Sequence, residues 1–161
     1  MLGEPRILPA PFPSALGRPE TPSDALQCCP MQGLHLTADL HGCRCAPHWL
    51  LDATALGRAC IDTVRAAGLS AVGQLFHTFP ATDQGPGGVT ATVLLAESHL
   101  CVHTWPEQGA VTLDVYVCNF GADHSAKAEA LMAAMLALFD PAQVQRHALR
   151  RGAPVAAEAA A

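Results

Sequence analysis

Between residues 96 and 118 the chain concentrates side chains able to do chemistry: Glu97, Ser98, His99, Cys101, His103 and Glu107, then Asp114 and Cys118. His99, Cys101 and His103 alternate, so on a strand they project from one face and offer the donor types of a transition-metal site. A structural zinc site wants four protein ligands, and the fourth here would be Cys118 or another distant group. Cys43-x-Cys45 is one residue tighter than the usual knuckle. A non-catalytic metal-binding domain using His99, Cys101 and His103 is thus one alternative. A Ser-His hydrolase on Ser98 and His103 has less support, because no G-x-S-x-G elbow surrounds Ser98 and no evident acid orients His103.

Three features agree jointly: Glu97-Ser98-His99, the run His103-Thr104-Trp105-Pro106-Glu107 starting five residues after Ser98, and Cys118 twenty residues after it. In these motifs the chain resembles the short prokaryotic S-adenosylmethionine decarboxylases. The resemblance runs over residues 33–152, from the segment His35 to Cys43, through Phe76-His77-Thr78-Phe79, to Arg150-Arg151-Gly152. It implies a proenzyme that cuts itself between Glu97 and Ser98, giving a β chain of residues 1–97 and an α chain of residues 98–161 whose Ser98 becomes a pyruvoyl group. It gives His103 the proton transfers of processing, for which an imidazole is suited near neutral pH. Cys118 becomes the general acid that reprotonates the product carbon, and Thr90 a supporting hydroxyl in processing. Phe79 would stack on adenine, and Glu107 would accept the ribose hydroxyls.

The resemblance further implies that the pyruvoyl group takes the substrate amine as a Schiff base and serves as electron sink, the task pyridoxal phosphate performs elsewhere. The chain's one lysine, Lys127, lies outside the cluster, in keeping with a cofactor made from the chain itself. The expected products are CO2 and decarboxylated S-adenosylmethionine, the aminopropyl donor for spermidine. A homodimer of cleaved protomers is expected, with active sites at or near the interface and no metal requirement. Departures from the family pattern at Thr78, His41, Gln108, Ala110 and Asn119, and a longer segment after Phe79, keep arginine or ornithine as alternative substrates on the same machinery.

These residues need a scaffold. Leu34, Leu36, Ala38 and Leu40 alternate with polar neighbours, the period of a half-buried strand. After Pro47, Trp49, Ala53, Leu56, Cys60, Val64 and Ala67 recur at helical spacing, and Gly68 closes that helix. Residues 70–79, 89–96, 100–104 and 111–118 read as strands joined by glycine- and proline-bearing links. A second helix follows, with Asp123 or Ser125 as N-cap and Leu131, Met135 and Leu138 on its buried face; Val144 to Arg151 closes the sheet. The fold class is α+β, a two-layer sandwich of a mainly antiparallel sheet with two helices on one face. Strand alternation puts residues 98 and 103 on opposite faces, so Ser98 is expected in a turn or bulge, strained toward attack.

Seven of the thirteen prolines fall in residues 1–30, so residues 1–32 read as a flexible leader and Ala153–Ala161 as a frayed alanine-rich tail around the domain 33–152. Hydrophobic residues make up 50% and charged residues 14%, which supplies a core and excludes wholesale disorder. Nine basic residues against fourteen acidic ones, with Arg150-Arg151 the one basic pair, provide no stripe for nucleic acid. No apolar run approaches the roughly 18 residues of a membrane span, and Glu4 and Pro5 stand where a secretion signal would need a basic start and a continuous apolar stretch, so export is not expected. Seven cysteines, an odd number in a chain able to bury a core, point to free thiols in a reducing cytoplasm.

Overall fold

The computed structural model describes residues 32–83, 85–96 and 98–152. Period-two alternation builds its sheet. In β1 (Gly33–Cys43) Leu34, Leu36, Ala38 and Leu40 are buried on one face, while His35, Thr37 and Asp39 remain partly open on the other. β3 (Val89–Leu95), β4 (Ser98–Trp105) and β5 (Ala110–Cys118) repeat the pattern with Val93, Val102 and Val115 fully buried. With β2 (Ala71–Thr78) and β6 (Pro141–Arg151) as edges, the strand order is β2-β3-β4-β5-β1-β6, every neighbour antiparallel. β6 starts at Pro141, ahead of the expected Val144, because its pairing with β1 continues through His41↔Gln143 and Cys43↔Pro141.

The helices cover one face. The single helix expected after Pro47 is corrected to two, α1 (His48–Leu51) and α2 (Ala53–Ala66). Asp52 between them is extended, and its carboxylate accepts the Thr54 and Ala55 amides at 2.8 and 3.1 Å, so a new helix starts there. At α3 (Ser125–Phe139) the cap position falls on His124, with the Asp123 carboxylate accepting the Ser125 amide at 2.9 Å. α2 lays Leu56, Cys60 and Val64, and α3 lays Leu131, Met132, Met135 and Phe139, onto the apolar sheet face. Each such burial of a leucine, valine, methionine or phenylalanine contributes roughly 1.5–3 kcal/mol. Gly57 permits the close approach of α2 to β2, since a Cβ there would lie 2.6 Å from the Phe76 ring.

The result is the expected α+β sandwich, with the short α1 added. None of the described helices lies on the opposite sheet face, where Leu75 (71% exposed), Leu94 (51%) and Leu149 (57%) stand. No described helix is long and apolar enough to cross a membrane. The expectations for the leader through residue 31 and the tail from residue 153 lie outside the described residues.

Candidate active site

The β4–β5 hairpin sets the first pair. Ser98 opens β4, opposite Leu95, and its Oγ accepts the Cys118 amide at 2.9 Å. Two strands of eight and nine residues joined by the tight turn Pro106–Gln108 fold the twenty-residue separation back on itself. Cys118 is buried there. Of the turn or bulge expected at Ser98, the structure has the turn: Leu95 pairs with Ser98 across the turn at Ala96, and β3 and β4 pair in unbroken register with no bulge. Nor is its backbone in the strained left-handed region, which among the described non-glycine residues holds Asp140 alone. Glu97 lies outside the described residues.

The second pair sits at the other end of β4. His103 faces Thr90 across the β3–β4 ladder, and its Nδ1 shares a 2.8 Å hydrogen bond with the Thr90 hydroxyl. His103, Phe79 and Glu107 line one cavity of about 550 Å³, together with Trp105 and the loop Gly85–Gly88. Phe79 stands half exposed at its rim, edge-on to His77 at 4.9 Å. Gly87 and Gly88 form the close-packed wall: a Cβ on Gly88 would fall 1.9 Å from the Thr104 carbonyl oxygen. Thr104, buried beneath, donates to the Leu50 carbonyl at 2.7 Å and accepts the Val89 amide at 2.8 Å, locking β3, β4 and α1 together. Five residues of strand separate Ser98 from His103, about 16 Å at ~3.3 Å per residue. Within one chain the two do not meet, which also removes the Ser-His hydrolase.

The alternating donors His99, Cys101 and His103 share the open face as expected but do not converge. His99 goes to Asp114 at 2.9 Å, the Cys101 Sγ accepts from Thr92 at 3.6 Å, and His103 goes to Thr90. Burial raises the Cys101 thiol above its ordinary pKa and pushes that of Cys60, within the core, up to about 12. Among the described residues one group of three possible ligands lies within 4.8 Å, and it is His35, His99 and Asp114. Hydrogen bonds fill it. Arg151 can only donate, and its Nη1 lies 3.2 Å from His35 Nδ1, so that nitrogen accepts and Nε2 carries the proton given to Asp114 Oδ1 at 2.8 Å. His35 and Asp114 escaped the sequence reading as partners, because they come from strands whose adjacency only the sheet order reveals.

The family model described as S-adenosylmethionine decarboxylase matches residues 34–152 of this chain. The chain belongs to the S-adenosylmethionine decarboxylase family. It is thereby an enzyme of the decarboxylase class. Among its relatives, the S-adenosylmethionine decarboxylase proenzyme of Parasynechococcus marenigrum is 38% identical over 121 residues, covering 74% of this chain and 83% of that one. The proenzyme of Archaeoglobus fulgidus is 34% identical over 121 residues, covering 74% of this chain and 97% of its own. The crystal structure of the adenosylmethionine decarboxylase from Aquifex aeolicus superposes with a TM-score of 0.65 at 28% identity, covering 81% of this chain and 98% of that chain.

Proposed function

We propose that this member of the S-adenosylmethionine decarboxylase family is a proenzyme that cuts itself between Glu97 and Ser98, and that the mature enzyme removes the carboxylate of S-adenosylmethionine. The contact between Ser98 Oγ and the Cys118 amide carries the proposal, because it sets the expected nucleophile and the expected acid side by side at the mouth of one hairpin. In the cut, Ser98 Oγ adds to the Glu97 carbonyl carbon and the peptide C–N bond breaks, leaving an ester and a free amine on residue 98. Loss of the Ser98 α-proton expels the Glu97 carboxylate, and water then replaces the nitrogen, which leaves as ammonia. The pyruvoyl group so formed supplies an electron sink for decarboxylation. Cys118, whose backbone amide bonds Ser98 Oγ, is read as the acid that returns a proton to the product carbon.

The 550 Å³ cavity is the proposed substrate site. Phe79 presents a ring face for adenine, and the Glu107 carboxylate presents two acceptors for ribose hydroxyls. His103, held by Thr90, is the proton carrier, and its distance from Ser98 along β4 supports an active site shared between two copies. Laid face to face about a two-fold axis, two open sheet faces would cover Leu75, Leu94 and Leu149 and bring the His103 end of one copy over the Ser98 end of the other. We accordingly read the enzyme as a homodimer of cleaved protomers, working in the cytoplasm toward spermidine synthesis.

Intact mass spectrometry under denaturing conditions, with and without a carbonyl-reactive amine, tests the cut. Fragments 1–97 and 98–161, the second blocked and shifted by the amine, are expected. A stable uncut chain would overturn the proposal. Release of labelled CO2 from carboxyl-labelled S-adenosylmethionine, but not from arginine or ornithine, is expected next.

A further inference from the structure

We infer that His99, Asp114, His35 and Arg151 are positioning residues that hold the free end of β4 in place after the chain is cut. The inference rests on the cleavage at 97/98 proposed above. Before the cut, residue 98 is held from both sides, by the turn from β3 and by the strand that follows. The cut opens that turn and turns residue 98 into a chain end. Strand ends fray unless they are tied, and this one has to keep its terminal group beside Cys118.

The tie runs through side chains on the open face. His99, next to the new end, donates through Nε2 to Asp114 Oδ1 on β5 at 2.9 Å, and the same oxygen accepts from His35 Nε2 on β1 at 2.8 Å. Arg151 on β6 completes the relay at His35 Nδ1, 3.2 Å away. Each link joins neighbouring strands, so one residue beside the cut is anchored across β4, β5, β1 and β6 in turn. The Tyr116 ring packs against both imidazoles, with centroids 5.7 and 5.8 Å away, and limits their rotation. A charged acceptor shared by two N–H donors is among the stronger hydrogen-bond arrangements open to a half-buried site.

Hydrogen exchange of the β4 amides at residues 99–101, measured in cut protein and in the uncut Ser98→Ala background, tests the inference. Asp114→Ala is expected to speed exchange at least tenfold in the cut protein and less than threefold in the uncut one, with kcat reduced tenfold or more at nearly unchanged KM. Asp114→Asn, which keeps an oxygen for both imidazoles, is expected to recover most of the protection. Should Asp114→Ala not fold, Arg151→Ala at the exposed end of the relay is expected to act in the same direction by about threefold. Equal acceleration in cut and uncut protein would mean a general structural role and would overturn the inference, as would wild-type exchange and kcat in the cut variant. A block of cleavage by Asp114→Ala would place the residues before the cut and overturn it too. If wild-type protein is never cut, the cleavage proposal itself fails and this one goes with it; a normally cut wild type with an indifferent variant sinks this inference alone.

Discussion

Ser98 and Cys118 are joined by a hydrogen bond from the cysteine's backbone, so removing the thiol leaves that bond intact. Cys118→Ala is therefore expected to be cut at the same bond, giving fragment 1–97 unchanged and fragment 98–161 lighter by the sulfur removed, while lowering turnover by roughly 100-fold or more, the usual scale for a lost proton donor. Mass spectrometry and CO2 release on one sample check it, and wild-type turnover would remove Cys118 from the mechanism. This pair was legible through the family motif, Glu97-Ser98-His99 with a cysteine twenty residues on; that the two residues meet across one hairpin is what the structure adds. His103 was legible as a functional type but not as a place: a count of five residues looks close on paper and measures about 16 Å along an extended strand. The His35–Asp114–His99 cluster was not legible. Its members lie on β1, β5 and β4, and β1 meets β5 only because the sheet takes its first strand into the interior of the order.

At the scale of elements, the helix break at Asp52 shows a local signal outweighed by a periodic one. Apolar residues from Trp49 to Ala67 keep helical spacing across the break, so periodicity alone merges two helices. The cap is visible only as an aspartate two and three residues ahead of the amides it accepts. Asp52→Ala is expected to cost about 1 kcal/mol, read as a lower urea midpoint with unchanged slope. The loop after Phe79 gives a second test. Phe79 donates its amide to the Gly88 carbonyl at 2.9 Å, and Gly88 leaves no room for a Cβ against Thr104. Gly88→Ala must shift the cavity wall, so a rise in KM of about tenfold or more is expected while the cut at 97/98, at the far end of β4, proceeds. A KM within twofold of wild type would show that the wall is not part of the substrate site. The six strands, by contrast, were legible nearly residue for residue wherever one face is buried; β6, exposed along almost its whole length, gave the poorest boundary.

For the whole molecule, the sheet face that no described helix covers makes a definite prediction. Leu94→Glu places a charge among apolar groups that a second copy would bury, and is expected to convert dimer to monomer in sedimentation while lowering turnover at least tenfold. A variant that stays dimeric at full activity would rule that face out as the interface. Strand order has a further consequence. A cut between residues 97 and 98 assigns β1, β2 and β3 to one piece and β4, β5 and β6 to the other, yet β1 lies between β5 and β6. The second piece grips the first on both sides of that strand and again where β4 pairs with β3, so the mature enzyme cannot lose one piece without dismantling three ladders. Folding before the cut is a search by one chain; after it, recovery from denaturant is an encounter between two molecules. Refolding of the mature enzyme should therefore slow in proportion to dilution, while recovery of the protomer fold in the uncut Ser98→Ala protein keeps a rate independent of concentration. Self-cleavage would then act as a ratchet, fixing a fold that only the intact precursor reaches with ease.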